Sequence, residues 1–275
     1  MRRGLGRLAS PKSITMKKIT ILLLVLALAG CLERGEKTPN DLAEAREYML
    51  HRDFMEAEKS FERYLRGNPK GEERWEVWNQ LVDLALNVRH DRNASIELLR
   101  TMLQEFDQTP ERRRVVQDKL AYQYEQARNF DGSVELWGSL VKDPETPSIQ
   151  KAEALRNLAR VYLRRLEFEP ARDVLTFCME LDITQSAKSD CQYDLADLYM
   201  IMEDMDAGIK ELRNLLEQEG VDDEKRVLAI FMLADALEQQ GNRDSALGLF
   251  ESIRFVYPNQ RVVEARIDYL KKTKK

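Results

Sequence analysis

The sequence predicts an all-α fold, a stack of about six helical hairpins closed by a C-terminal helix, and three observations lead there. A small-then-bulky pattern at helical spacing recurs along the chain from Ala45 to Phe250. Turn-forming dipeptides fall between its copies. The 275 residues are 43% hydrophobic and 33% charged, which suits helices with one apolar stripe and a solvated opposite face and is too apolar for a disordered chain.

The first element is an address rather than part of the fold. Residues Met16 to Cys31 read MKKITILLLVLALAGC, with a positive start at Lys17 and Lys18, an apolar run from Ile19 to Ala29, then small residues. That order is a three-part secretion signal, short for a membrane-spanning helix. Met16 is the better start, so residues 1–30 divide into an extension and a signal peptide. The ending Leu28-Ala29-Gly30-Cys31 resembles the lipobox of bacterial lipoproteins, which implies lipidation of Cys31 after cleavage before it. Several acyl chains would anchor the protein stably, since one chain binds only marginally. The same resemblance, with Leu32 after the cysteine, implies the outer membrane, facing the periplasm. Residues 31–40 are then a short tether, and the nine residues from Leu32 to Asn40 reach about 30 Å at most.

Six copies of one hairpin follow over residues 41–258. The first-helix pattern is Leu120-Ala121-x-x-Tyr124, Leu158-Ala159-x-x-Tyr162 and Leu195-Ala196-x-x-Tyr199, with looser copies at Ala45-x-x-Tyr48, Leu81-Val82-x-x-Ala85 and Leu233-Ala234-x-x-Leu237. The second-helix pattern pairs a small residue with a bulky one four later: Ala57 and Phe61, Ala94 and Leu98, Ser133 and Trp137, Ala171 and Leu175, Gly208 and Leu212, Ala246 and Phe250. The small first-helix slot precedes the small second-helix slot by twelve residues in all six copies, while the spacing between copies drifts from 37 to 39. Small side chains let two antiparallel helices approach, and bulky ones a turn away fill the groove to the next hairpin. No hairpin buries its apolar face alone, so stacking makes the core. Asn68-Pro69, Thr109-Pro110, Asp143-Pro144, Glu219-Gly220 and Tyr257-Pro258 fall between copies, Gly241-Asn242 sits in the turn of the last, and Pro170 suits the first turn of a second helix. Residues 259–275 hold a capping helix, Arg261 to Leu270, and a basic tail of Lys271, Lys272, Lys274 and Lys275.

These residues resemble the tetratricopeptide repeat over roughly Asp41 to Pro258, with Trp78-x-x-Leu81 matching its opening and Phe250 to Pro258 its closing. The period exceeds the usual 34 residues, which implies longer helices or turns. That lengthening and the Val256-Tyr257-Pro258-Asn259 ending are similar to repeats of outer-membrane assembly and cell-envelope lipoproteins. The resemblance implies a scaffold for protein partners, supporting an envelope complex such as barrel assembly, a pilus or a secretion apparatus. The alternative is a lipoprotein that binds a cell-wall polymer or peptide.

Charge and motif content set the remaining function classes. Removing the first thirty residues takes away six basic groups and leaves 37 against 48 acidic ones. That balance argues against nucleic acid as a partner. His51 and His90 have no ligand-type partner at helical spacing, so no metal or cofactor is expected. No nucleophile with its base, carboxylate pair or phosphate loop stands above the charge background, and the expectation is a protein that is not an enzyme.

Candidate binding residues come from the face that the first helices present in the tetratricopeptide fold. Arg156, Arg160 and Arg164, four apart, share a helical face beside Tyr122, Tyr193, Asp118 and Asp197. Either their guanidinium forks await a partner's carboxylates, or they pair with Asp197 or Glu153 on a solvated surface. Tyr193, Met200 and Phe231 either form an apolar docking patch or are absorbed between the helices. Leu42 and Arg46 stand where the family's carboxylate clamp has Lys and Asn, so that activity is not expected. Cys178 and Cys191 fall where helices of adjacent hairpins pack, either joined in a disulfide or kept as two buried thiols.

Overall fold

The computed structural model describes residues 41–273, and every regular element among them is helical. The signal segment 1–30, Cys31, the tether 31–40, and Lys274 and Lys275 lie outside the described residues. The chain divides into two compact units, one ending at Arg89 and the other beginning at His90.

In the first unit, α1 (Asp41–Leu50) and α2 (Phe54–Gly67) form a hairpin, followed by α3 (Arg74–Asp83), which runs into a π-helical turn at Leu84–Val88. Ala45 and Ala57 have no exposed surface, and Phe61 closes the contact beside them. Arg63 on α2 reaches back to Asp41 at 3.0 Å and Glu44 at 2.8 Å on α1, tying the outer side of the same hairpin.

The second unit runs α4 (Arg92–Glu105), α5 (Pro110–Gln126), α6 (Phe130–Lys142), α7 (Ser148–Arg164), α8 (Phe168–Glu180), α9 (Gln185–Ile201), α10 (Met205–Glu217), α11 (Asp223–Gln239), α12 (Arg243–Ile253) and α13 (Gln260–Thr273). Each helix packs on its sequence neighbours, and first helices also meet the first helix of the next hairpin, α7 with α9 and α9 with α11. One cluster runs from Ala121 through Trp137, Leu155 and Leu158 to Cys191, and another from Ala196 through Leu212, Leu233 and Phe250 to Leu270. Val263, Ile267 and Leu270 on α13 are buried in the latter, so the final helix covers the last hairpin's apolar face as a terminal cap should.

A left-handed residue follows the first helix in all six copies of the pattern. Arg52, His90, Arg128, Leu166, Glu203 and Gly241 all have φ between 54° and 83°, the left-handed conformation that ends an α-helix. In five of them the next residue's N–H donates five positions back: Asp53 to Tyr48, Asn129 to Tyr124, Glu167 to Tyr162, Asp204 to Tyr199 and Asn242 to Leu237, at 2.8–2.9 Å. This 6→1 bond occupies a carbonyl that the helix end would otherwise leave unpaired. The accepting residue is the last slot of the first-helix pattern, so one position both packs and closes the turn. Only the sixth copy uses glycine there; the other five strain a side-chain-bearing residue.

In the second copy the register differs from the sequence expectation. Ser95 and Leu99 are buried, whereas Ala94 and Leu98 are only partly so. The interval from Val82 to the buried small slot is therefore thirteen residues, not twelve. The π-helical turn is the cause, because its wider ring takes up one residue between Val82 and His90. Counted from the left-handed residue, the small slot lies five positions on in every copy, Ser95 included.

Candidate functional site

Helix α7 buries Ala152, Leu155, Leu158, Ala159 and Val161, which leaves Arg156, Arg160 and Arg164 along its opposite edge. With α5 and α9 they frame a cleft of about 400 Å³ lined by Asp118, Glu153, Arg156, Arg160, Asp194 and Asp197, among others. The arginines are held by carboxylates of the protein itself. Arg156 donates from Nε to Asp194 Oδ2 at 2.6 Å and from Nη1 to Asp190 Oδ2 at 3.3 Å. Arg160 grips Glu125 in a two-pronged pair, 2.9 Å from Nε and 2.7 Å from Nη2, and Arg164 Nε lies 3.3 Å from the same carboxylate. Glu125 has no exposed side-chain surface, so a fully desolvated anion sits between two half-exposed cations.

These bonds fix the charge states. The hydrogen bonds that Arg160 donates to Glu125 raise its pKa beyond the ordinary arginine value, and its burial only partly offsets them. For Arg156 burial opposes the charge most strongly, yet the bonds and charges of Asp194 and Asp190 together win and the pKa rises. Asp197 is raised above the usual carboxylate value by partial burial and then by the adjacent charge of Asp194. Burial first, then the charge of Asp197, pushes the Tyr193 phenol up to about 12.

The remaining predicted residues separate into two groups. Tyr122 is 47% exposed beside Arg160, and Tyr193 lies under Lys225, whose Nζ is 4.7 Å from the ring centre and 2.7 Å from Asp190. Met200 and Phe231 do not form an exposed patch. Phe231 stacks on Tyr257 at 4.5 Å and meets Phe250 edge-on at 5.4 Å, within the C-terminal core. Met200 is packed against Gly208 so closely that a Cβ there would lie 2.6 Å from its Cε. Both side chains are thus partly buried between the two helices of a hairpin, Met200 against α10 and Phe231 against α12. Asp197 and Glu153, offered as partners for the arginines, make no ion pair with them among the described residues; Asp190, Asp194 and Glu125 do. The i, i+4 spacing of Asp190 and Asp194, and Glu125 following Tyr124, were the available signals for those partners.

Two further features frame the cleft. Trp137 is fully buried, donates its indole N–H to Asp118 at 2.9 Å and faces the Arg160 guanidinium at 5.7 Å. Cys178 on α8 and Cys191 on α9 are joined in a disulfide, both buried, with Cα atoms 6.0 Å apart. Among the described residues no group of three His, Cys, Asp or Glu could hold a metal ion, and no helix is long and apolar enough to cross a membrane.

Fold and face together define a repeat protein of helical hairpins. Residues 193–261, from within α9 to the start of α13, match the tetratricopeptide repeat family model. No curated protein matches the chain. Among solved structures, the apo form of RapI aligns with 94% of this chain and 77% of its own at 13% identity and a TM-score of 0.63. BtubC from P. vanneervenii aligns over 89% and 91% at 19% identity and a TM-score of 0.53. The pilF protein of Pseudomonas aeruginosa aligns over 86% and 96% at 11% identity and a TM-score of 0.50. At such identities the likeness is one of fold. Tetratricopeptide repeats characteristically hold protein partners on the surface their stacked helices expose.

Proposed function

We propose that the chain is a lipid-anchored scaffold that holds protein partners at the periplasmic side of the outer membrane and supports assembly of an envelope complex. The observation that carries the scaffold reading is the cleft across α5, α7 and α9. Its polar side chains are fixed in position by cross-helix pairs, yet the space between them is open. A preorganised face of that kind lowers the ordering cost a partner would face on docking. The anchor rests on the Met16 to Cys31 signal and the periplasm on Leu32, with the Cys178–Cys191 disulfide in keeping with an oxidising compartment.

Photo-crosslinking in living cells tests the reading. A photoreactive residue in place of Asn157, which lines the cleft, is expected to capture a discrete envelope protein, and Cys31→Ser is expected to release the chain from the membrane fraction. No adduct from position 157 alongside adducts from Glu217 on α10 would reject the cleft as the docking face. Membrane retention of the Cys31→Ser chain would reject the anchor.

A further inference from the structure

The charges of the cleft are unevenly satisfied. The cations in and beside it are engaged by the protein's own carboxylates: Arg156 by Asp190 and Asp194, Arg160 and Arg164 by Glu125, Lys225 by Asp190. Glu153 and Asp197 line the same cleft with no ion pair or hydrogen bond among the described residues, and Asp118 accepts the neutral indole N–H of Trp137. An adjoining hollow of about 210 Å³ shares Asp118 and Glu153 with the larger one, so the two form a continuous trough along α5 and α7. Arg114 and Lys119 line the smaller hollow, Arg114 with a side chain only 9% exposed. Its Nε and Nη1 are buried without a hydrogen bond, and Nη1 pairs with the Asp143 carboxylate at 4.0 Å.

We propose that this trough docks a cationic segment of a protein partner, with a lysine or arginine side chain seated against Glu153 and Asp197. The inference deepens the scaffold reading and rests on it. An acidic partner would meet guanidinium groups already paired with the protein's own carboxylates, whereas a cation meets Glu153 and Asp197, which make no ion pair among the described residues. The protein already shows how such a cation is held: Lys225 lies between the Asp190 carboxylate and the Tyr193 ring. Tyr122, one turn from Asp118 on α5 and 47% exposed, presents a second ring on that face. Asp197 carries, beside the effect of its burial, repulsion from Asp194, and an arriving cation offsets that repulsion.

The test uses the full chain and two labelled twelve-residue peptides of leucine, serine and three lysines, identical except that glutamate replaces lysine in the second. Fluorescence anisotropy at low salt should show binding of the lysine peptide and none of the glutamate peptide. Glu153→Gln with Asp197→Asn should weaken the lysine peptide about ten-fold. Glu180→Gln with Glu217→Gln, which removes the same charge outside the cleft lining, should change it by less than about two-fold, because distant exposed charges are screened. Absence of lysine-peptide binding, equal binding of the glutamate peptide, or equal loss in the control pair overturns the proposal. Crosslinks from position 157 that persist in any of those cases would refute the charge preference while leaving the scaffold reading standing.

Discussion

Glu125 gives the sharpest test of how the cleft is held, because its two sides differ in exposure. The carboxylate is fully buried, whereas Arg160 and Arg164 are each 43% exposed. Replacing both arginines by methionine keeps the stems that pack against the helix but strands a desolvated anion. Loss of the partners of a buried charge costs about 3–5 kcal/mol. Glu125→Gln removes the charge instead and returns two arginines to water they already touch, so the loss falls to about 1–2 kcal/mol for charge-assisted hydrogen bonds. With a urea slope of about 2–3 kcal/mol per M, the double methionine variant should unfold about 1–2 M earlier than the wild type, and Glu125→Gln less than about 1 M earlier. Urea titration followed by helical circular dichroism reads both. Equal losses in the two variants, or a double variant within about 1 kcal/mol of wild type, would show that Glu125 is not the buried charge on which this cleft is organised.

The left-handed turns predict stabilisation by glycine: Leu166→Gly should raise the melting temperature by about 1–4 °C, and Gly241→Ala should lower it. A fall on Leu166→Gly would contradict the strain assigned to that turn. Reducing the Cys178–Cys191 disulfide should cost about 3 kcal/mol, given the 13-residue separation, and thiol titration under denaturing, non-reducing conditions should find neither cysteine free. Two reactive thiols before reductant would refute the bond. Tyr193 ionises near 12 when folded and near 10 when unfolded, so the unfolded chain releases that proton first as pH rises. Its contribution is complete below about pH 10 and is lost as pH climbs towards 12, a slope that Tyr193→Phe should flatten in alkaline unfolding curves.

Much of the fold was legible because it follows from short-range geometry. A hairpin with one turn type must place its small slots at a constant interval, and Ala121 with Ser133 or Ala159 with Ala171 displays that interval in plain sequence. The second copy misled because Leu84–Val88 has no proline or glycine to announce a π-turn, and Ala94 and Leu98 mimic the pattern one residue early. The 39-residue interval from Val82 to Ala121 was the one visible trace of the inserted residue. For the cleft, the arginine row on α7 was legible from its period of four. Its partners were not, since Asp190 and Asp194 lie on the next hairpin and Glu125 on the previous one, more than thirty residues away.

By itself, then, the order of residues determined the helical class, the hairpin length, the capping helix and which side chains share a face, because each depends on neighbours within a turn or two. Tertiary structure decided which charges are spent and which stay open. Whether Arg156 awaits a ligand or is already gripped, and whether Met200 and Phe231 face water or a groove, depends on how closely successive hairpins stack. That distance is set by the sum of all packed side chains between them and appears in no local pattern.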